Sequence, residues 1–130
     1  MTKSQPSFRG DVAVAHASVI LFGGGILIAA IIWAIRKDES RHVSFQAAQA
    51  AIWQTIFVLL MFILDRLLGR FLIIGLLLGD DALPLLCYRA FLALVATPFI
   101  LIGLLAALRT WNGENFHYPL IAQWLENRHF

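Results

Sequence analysis

Four long apolar stretches, each closed by charged or turn-forming residues, constrain this chain more than any other feature, because 130 residues leave little polar sequence to cover them. The first runs from Val12 to Ile35 without a formally charged side chain. At ~1.5 Å per residue that is enough to cross a hydrocarbon layer of roughly 30 Å. The chain is 60% hydrophobic and 14% charged, against about 25% charged in ordinary soluble domains. A soluble core of this size could not hide so much apolar surface. The sequence therefore predicts an all-α, polytopic membrane helical bundle with three to four membrane-embedded helices and a short C-terminal interfacial helix. A signal peptide is excluded because its apolar region spans only ~7–15 residues and ends at a small-residue cleavage site. No such site precedes Arg36 and Lys37, so the first stretch reads as a retained span.

Composition shifts divide the chain into a polar N-terminal tail (1–11), a membrane helical domain (12–110) and a C-terminal interfacial segment (111–130). Within the first span, Gly23, Gly24 and Gly25 form a packing notch, since small residues let a neighbouring helix approach closely in lipid. The polar run Arg36 to His42 must lie at a surface, because its charges are too costly in hydrocarbon. A second helix is expected to begin near Ser44, whose hydroxyl can cap the first turn, and to continue through Leu64. Along it His42, Gln46, Gln49 and Trp53 share one stripe, so that half is expected to be covered by protein or to lie at the interface. Unbroken helix from Ser44 to Gly79 would be roughly 54 Å long, which predicts a break near Asp65 to Arg70.

Asp80-Asp81 and Pro84 mark a turn into the last span, Leu85 to Leu108, in which Pro98 predicts a kink. Asn112-Gly113 is a turn signal. Beyond Tyr118-Pro119, the residues Leu120, Ile121, Trp124 and Leu125 form the apolar face of a short interfacial helix. Arg36, Lys37, Arg41, Arg109, Trp111, Tyr118 and Trp124 read as anchors at headgroup level. With four crossings the positive charges mildly favour both termini in the cytoplasm, and with three they balance.

Chemistry is sparse. An enzyme needs acids, bases, nucleophiles or metal ligands converging on one point. The four histidines, His16, His42, His117 and His129, show no HExxH or paired metal spacing. The glycine triplet lacks the Lys-Ser/Thr of a phosphate loop, and the single Cys87 lies among apolar neighbours, as a buried inert thiol does. His16 is the exception to weigh, an ionisable side chain inside an apolar span. It could ligate a haem or chlorophyll-type pigment, or hydrogen-bond to a polar group such as Gln49, and its shallow depth favours the hydrogen bond. The reading is no enzyme, no cofactor and no metal. The net charge of +2 is scattered at the ends of apolar runs, which argues against nucleic acid.

Ala15-His16, Trp33 before Arg36-Lys37-Asp38-Glu39-Ser40, Phe45-Gln46-Ala47-Ala48-Gln49-Ala50, Asn112-Gly113-Glu114 and Tyr118-Pro119-Leu120 occur in an order that resembles the Tic-twenty-like family. These are small bacterial membrane proteins related to the twenty-kilodalton subunit of the chloroplast inner-envelope import translocon. The resemblance implies a helical bundle and a link to protein translocation. From the residues themselves, His16, the glycine triplet and the Gln46, Gln49 and Trp53 stripe are contact surfaces. The expectation is a non-enzymatic, multi-pass subunit or scaffold of a bacterial plasma-membrane complex, whose partners are lipid and other membrane proteins or further copies of itself. A homo-oligomeric channel or carrier is the alternative.

Overall fold

The computed structural model describes residues 8–77 and 82–127. Lys3, the Asp80-Asp81 turn, Arg128 and His129 lie outside the described residues. Every regular element is helical: α1 (Arg9–Ala17), a 3-10 turn (Ser18–Leu21), α2 (Gly23–Arg36), α3 (Arg41–Leu77), α4 (Ala82–Trp111) and α5 (Pro119–Glu126).

The stretch expected to be one span is a hairpin of two short helices. Its reversal sits at Phe22, which has φ 50° and ψ −128°, a left-handed conformation normally left to glycine. The ring lies stacked on Phe57 of α3, with 5.3 Å between centroids. Across the turn the Ser18 hydroxyl donates to the carbonyls of Ala15 at 2.8 Å and Gly25 at 3.2 Å. At the open end, Arg36 of α2 reaches Asp11 of α1 at 2.9 Å and also pairs with Glu39. These pairs put the start of α1 and the end of α2 at the same level. Hydropathy alone could not reveal the reversal, because both arms and the turn between them are apolar.

The helix expected from Ser44 begins at Arg41, and the side chain that reaches its first turn is Ser40, whose Oγ accepts from the Val43 amide at 3.4 Å. It then runs unbroken for 37 residues. No break occurs at Asp65 to Arg70: no proline interrupts the stretch, the single Gly69 costs a helix only about 1 kcal/mol, and local partners hold Asp65 and Arg66 on the helix surface. Asp65 accepts a hydrogen bond from the Tyr88 hydroxyl of α4, and the Arg66 guanidinium lies 4.9 Å from the Phe62 ring centroid. α4 returns antiparallel to α3 and continues through Pro98. Among the described residues, the one helix long and apolar enough to cross a bilayer is Leu83–Trp111, with 29 residues, while Gly23–Arg36 is apolar but short.

Packing uses small residues. Ala15, Ala29, Ala47 and Ala50 form a seam where α1, α2 and α3 meet, which brings backbones close enough for polar side chains to bridge them. Gly25 takes part in this approach: a Cβ there would lie 2.1 Å from the Ser18 carbonyl oxygen. Gly23 has open space around it, and Gly24 comes no nearer than ordinary contact with Leu21. Gly103 of α4 receives Val19 in the same manner, at 2.7 Å from a built Cβ.

The distribution of polarity is the reverse of a water-soluble protein. His16, Gln46, Gln49 and Gln54 are at most 1% exposed, whereas Leu27, Leu94 and Leu77 are 66%, 71% and 81% exposed. In water such a surface would drive aggregation, since large contiguous apolar patches are rare on soluble monomers. Lipid tails remove that penalty and leave buried polar groups to satisfy one another. The Cys87 thiol, expected to be buried, is exposed on this apolar surface.

Candidate functional site

The buried polar residues converge where α1, the first half of α3 and the entry to α5 meet. His16 is carried by the second turn of α1, and its ring lies between two partners from distant parts of the chain. Nδ1 is 3.2 Å from the Tyr118 hydroxyl, and Nε2 is 3.3 Å from Gln46 Oε1. The tautomer that satisfies both has Tyr118 donating to Nδ1 and the Nε2–H donating to Gln46, an assignment made from the partners. The Tyr118 hydroxyl is the donor that Nδ1 requires in that tautomer, since Nδ1 then carries no hydrogen.

Two further glutamines extend the network along α3. Gln49 Oε1 accepts from the Tyr118 backbone amide at 3.1 Å, which pins the extended residue that starts α5. The Gln54 amide donates to the Ala15 carbonyl at 2.9 Å and to Ser18 Oγ at 3.1 Å. It therefore ties α3 to the turn of the α1–α2 hairpin. Gln49 Nε2 and Gln54 Oε1 are buried without partners among the described residues. In a membrane each interhelical bond of this kind contributes about 0.6–2 kcal/mol.

An aromatic ladder braces the same region. Trp53 stacks on Tyr118 at 4.7 Å and on Phe99 at 4.8 Å, and Phe57 stacks on Phe99 at 5.3 Å. The Trp53 indole N–H donates to the Phe99 carbonyl at 3.2 Å, linking α3 to α4. His42, half-buried at the start of α3, is held below the ordinary imidazole pKa by burial and by the neighbouring His117. Among the described residues no group of three His, Cys, Asp or Glu side chains is placed to hold a metal ion.

The structure thus brings together His16, Gln46, Gln49 and Trp53, with Gly25 beside them through Gln54. Gly23 and Gly24 lie outside the cluster. The partner of His16 is Gln46, not Gln49, because Gln46 sits level with the second turn of α1. Tyr118, expected as a headgroup anchor, is buried at the centre of the network, 2% exposed. Trp111 is exposed at the end of α4, and Arg109 lies 3.9 Å from Glu114. On α5 the protein-facing side is Ile121, Ala122 and Leu125, while Leu120 and Trp124 turn outward. Ser18 and Gln54 were not singled out from sequence. The available signal was a glutamine in the middle of an apolar run, a position costly unless paired.

Comparison with curated proteins and with solved structures found no match. A family model does match, that of the magnetosome magnetite crystal formation proteins (MamF/MmsF), over residues 9–125. This finding overturns the resemblance to the Tic-twenty-like family and, with it, the inferred link to protein translocation. The motifs behind that resemblance lie at helix ends and at the polar seam, where unrelated helical membrane proteins place the same residue types for the same physical reasons. Since the match spans both the hairpin and the polar seam and leaves out only short stretches at the two ends, the chain belongs to the magnetosome magnetite crystal formation protein family.

Proposed function

We propose that this chain is a non-enzymatic scaffold or subunit in the membrane that encloses a forming magnetite crystal. The family match over residues 9–125 carries the reading. The interior supports it, because the buried polar groups are spent on joining helices. Tyr118, Gln46 and Gln49 each use a polar atom to fix one element against another.

In this reading α3 and α4 cross the bilayer and the α1–α2 hairpin re-enters it from the side that carries α5. Arg41 to Asp65 covers ~36 Å of helix and Arg89 to Arg109 ~30 Å, each close to one bilayer. The crossing stretches are then 45–64 and 90–108, with His42 before the first of them at one surface and Tyr118 lodged against Gln49 and Trp53 within the bundle. The far ends of α3 and α4 project beyond the opposite charged level and present Leu67, Ile73, Leu83 and Leu86, all exposed. That end is available to a protein partner.

The test is complementation. In a magnetosome-forming bacterium lacking its own family member, this chain is expected to fractionate with the magnetosome membrane and to restore crystal size in electron micrographs. Crystals that stay as small as in the deletion strain, with the chain correctly placed in that membrane, would overturn the proposal.

A further inference from the structure

We propose that the groove between α1 and α4 binds one acyl chain of an anionic phospholipid, whose phosphate is held by Arg9. The groove has a cavity volume of about 450 Å³, within the roughly 300–1,000 Å³ range of small-ligand sites. Ala13, Ala17 and Ala107 make its floor, and Val14, Leu108 and Trp111 make its walls. Ala13 and Ala107 are 7% and 8% exposed, while Val14, Leu108 and Trp111 are more than half exposed, so the trough opens sideways onto lipid.

Charge selects the occupant. Arg9 lies one turn before Ala13 on α1, and its guanidinium packs on Gly113, two residues beyond Trp111. A Cβ built at Gly113 would lie 2.8–3.0 Å from guanidinium atoms, and Gly113 has φ +85°. The cation therefore sits at the mouth of the trough, at the level where Trp111 marks the headgroups. Its Nε is shielded from solvent and has no hydrogen-bond partner among the described residues. Of the nearby carboxylates, Asp11 is paired with Arg36 at 2.9 Å, and Glu114 lies exposed, 3.9 Å from Arg109. A half-buried guanidinium whose shielded Nε has no acceptor among the described residues, above an apolar trough, is complementary to a phosphate with its hydrocarbon chain attached. Arginine is the side chain best suited to pair with phosphate oxygens.

The inference needs the chain to sit in lipid but does not depend on a role in crystal formation. The experiment is native mass spectrometry of the full chain released from nanodiscs containing equal phosphatidylglycerol and phosphatidylcholine with identical acyl chains. One retained phosphatidylglycerol is expected, favoured about fivefold over phosphatidylcholine, the gain of one arginine at an anionic headgroup. Arg9→Gln should abolish the preference, and Arg9→Lys should keep most of it. Ala17→Phe, which fills the trough, should reduce retention of both lipids. Equal retention of the two lipids by the unaltered chain, or loss of the bound species on adding inorganic phosphate, overturns the proposal. So does an undiminished preference in Arg9→Gln. The measurement on the unaltered chain stands even if a variant misfolds.

Discussion

The glycine triplet gives the sharpest test of the packing account, because three adjacent residues of one type face three different environments. A methyl group at Gly25 would lie 2.1 Å from the Ser18 carbonyl oxygen, 2.7 Å from the Ser18 carbonyl carbon and 2.6 Å from Gln54 Oε1. The first two are backbone atoms of the turn, so Gly25→Ala must move α2 away from it. Overpacking of this sort costs about 1–3 kcal/mol. The shift also strains the Gln54 bonds to Ala15 and Ser18, each worth roughly 0.6 kcal/mol in a membrane bundle. The sum is a loss of about 2–4 kcal/mol. Gly23→Ala and Gly24→Ala meet no close atom, and replacing a helical glycine by alanine gains up to about 1 kcal/mol. Reversible unfolding in mixed micelles, followed by circular dichroism, should rank Gly25→Ala far below the other two. Equal stability of all three variants would refute the close approach at the hairpin turn.

Tyr118→Phe keeps the stack on Trp53 but removes the bond to His16, so it should cost about 0.6–2 kcal/mol in the same assay with the near-ultraviolet aromatic signal retained. His16→Ala removes the bonds to both Gln46 and Tyr118 and leaves their polar atoms buried, which should cost more, about 2–4 kcal/mol. His42, whose folded pKa is depressed below 6.5 by burial and by His117, contributes a pH dependence. Between the depressed value and 6.5 the unfolded chain binds more protons than the folded one, so stability is fully present above 6.5 and is lost as pH falls below it. A denaturation series across that window should show this slope reduced in His42→Gln.

The apolar stretches announced lipid as the solvent, and the Gln46, Gln49 and Trp53 stripe announced a covered face. What stayed hidden depended on contacts between distant segments. Val12 to Ile35 has the length and composition of a single span, and only the Phe22 reversal and the Asp11 to Arg36 pair show that it doubles back. Tyr118 looked like a headgroup anchor because tyrosine is common there. Its burial depends on Gln49 capturing its amide across 69 positions of sequence. The charges at Asp65 to Arg70 suggested a helix end, but Asp65 and Arg66 find local partners on the helix surface and the helix runs on.

Sidedness tests the doubled-back hairpin most directly. In a Cys87→Ser background, single cysteines at Gly10, where an added side chain meets nothing within 4 Å, and at Lys37 can be labelled with a membrane-impermeant maleimide in sealed vesicles of one orientation. If α1 and α2 form a re-entrant pair beside two crossing helices, both positions react from the same face of the membrane. Labelling of Gly10 and Lys37 from opposite faces would mean that residues 12–35 cross as one span, and the account would be wrong.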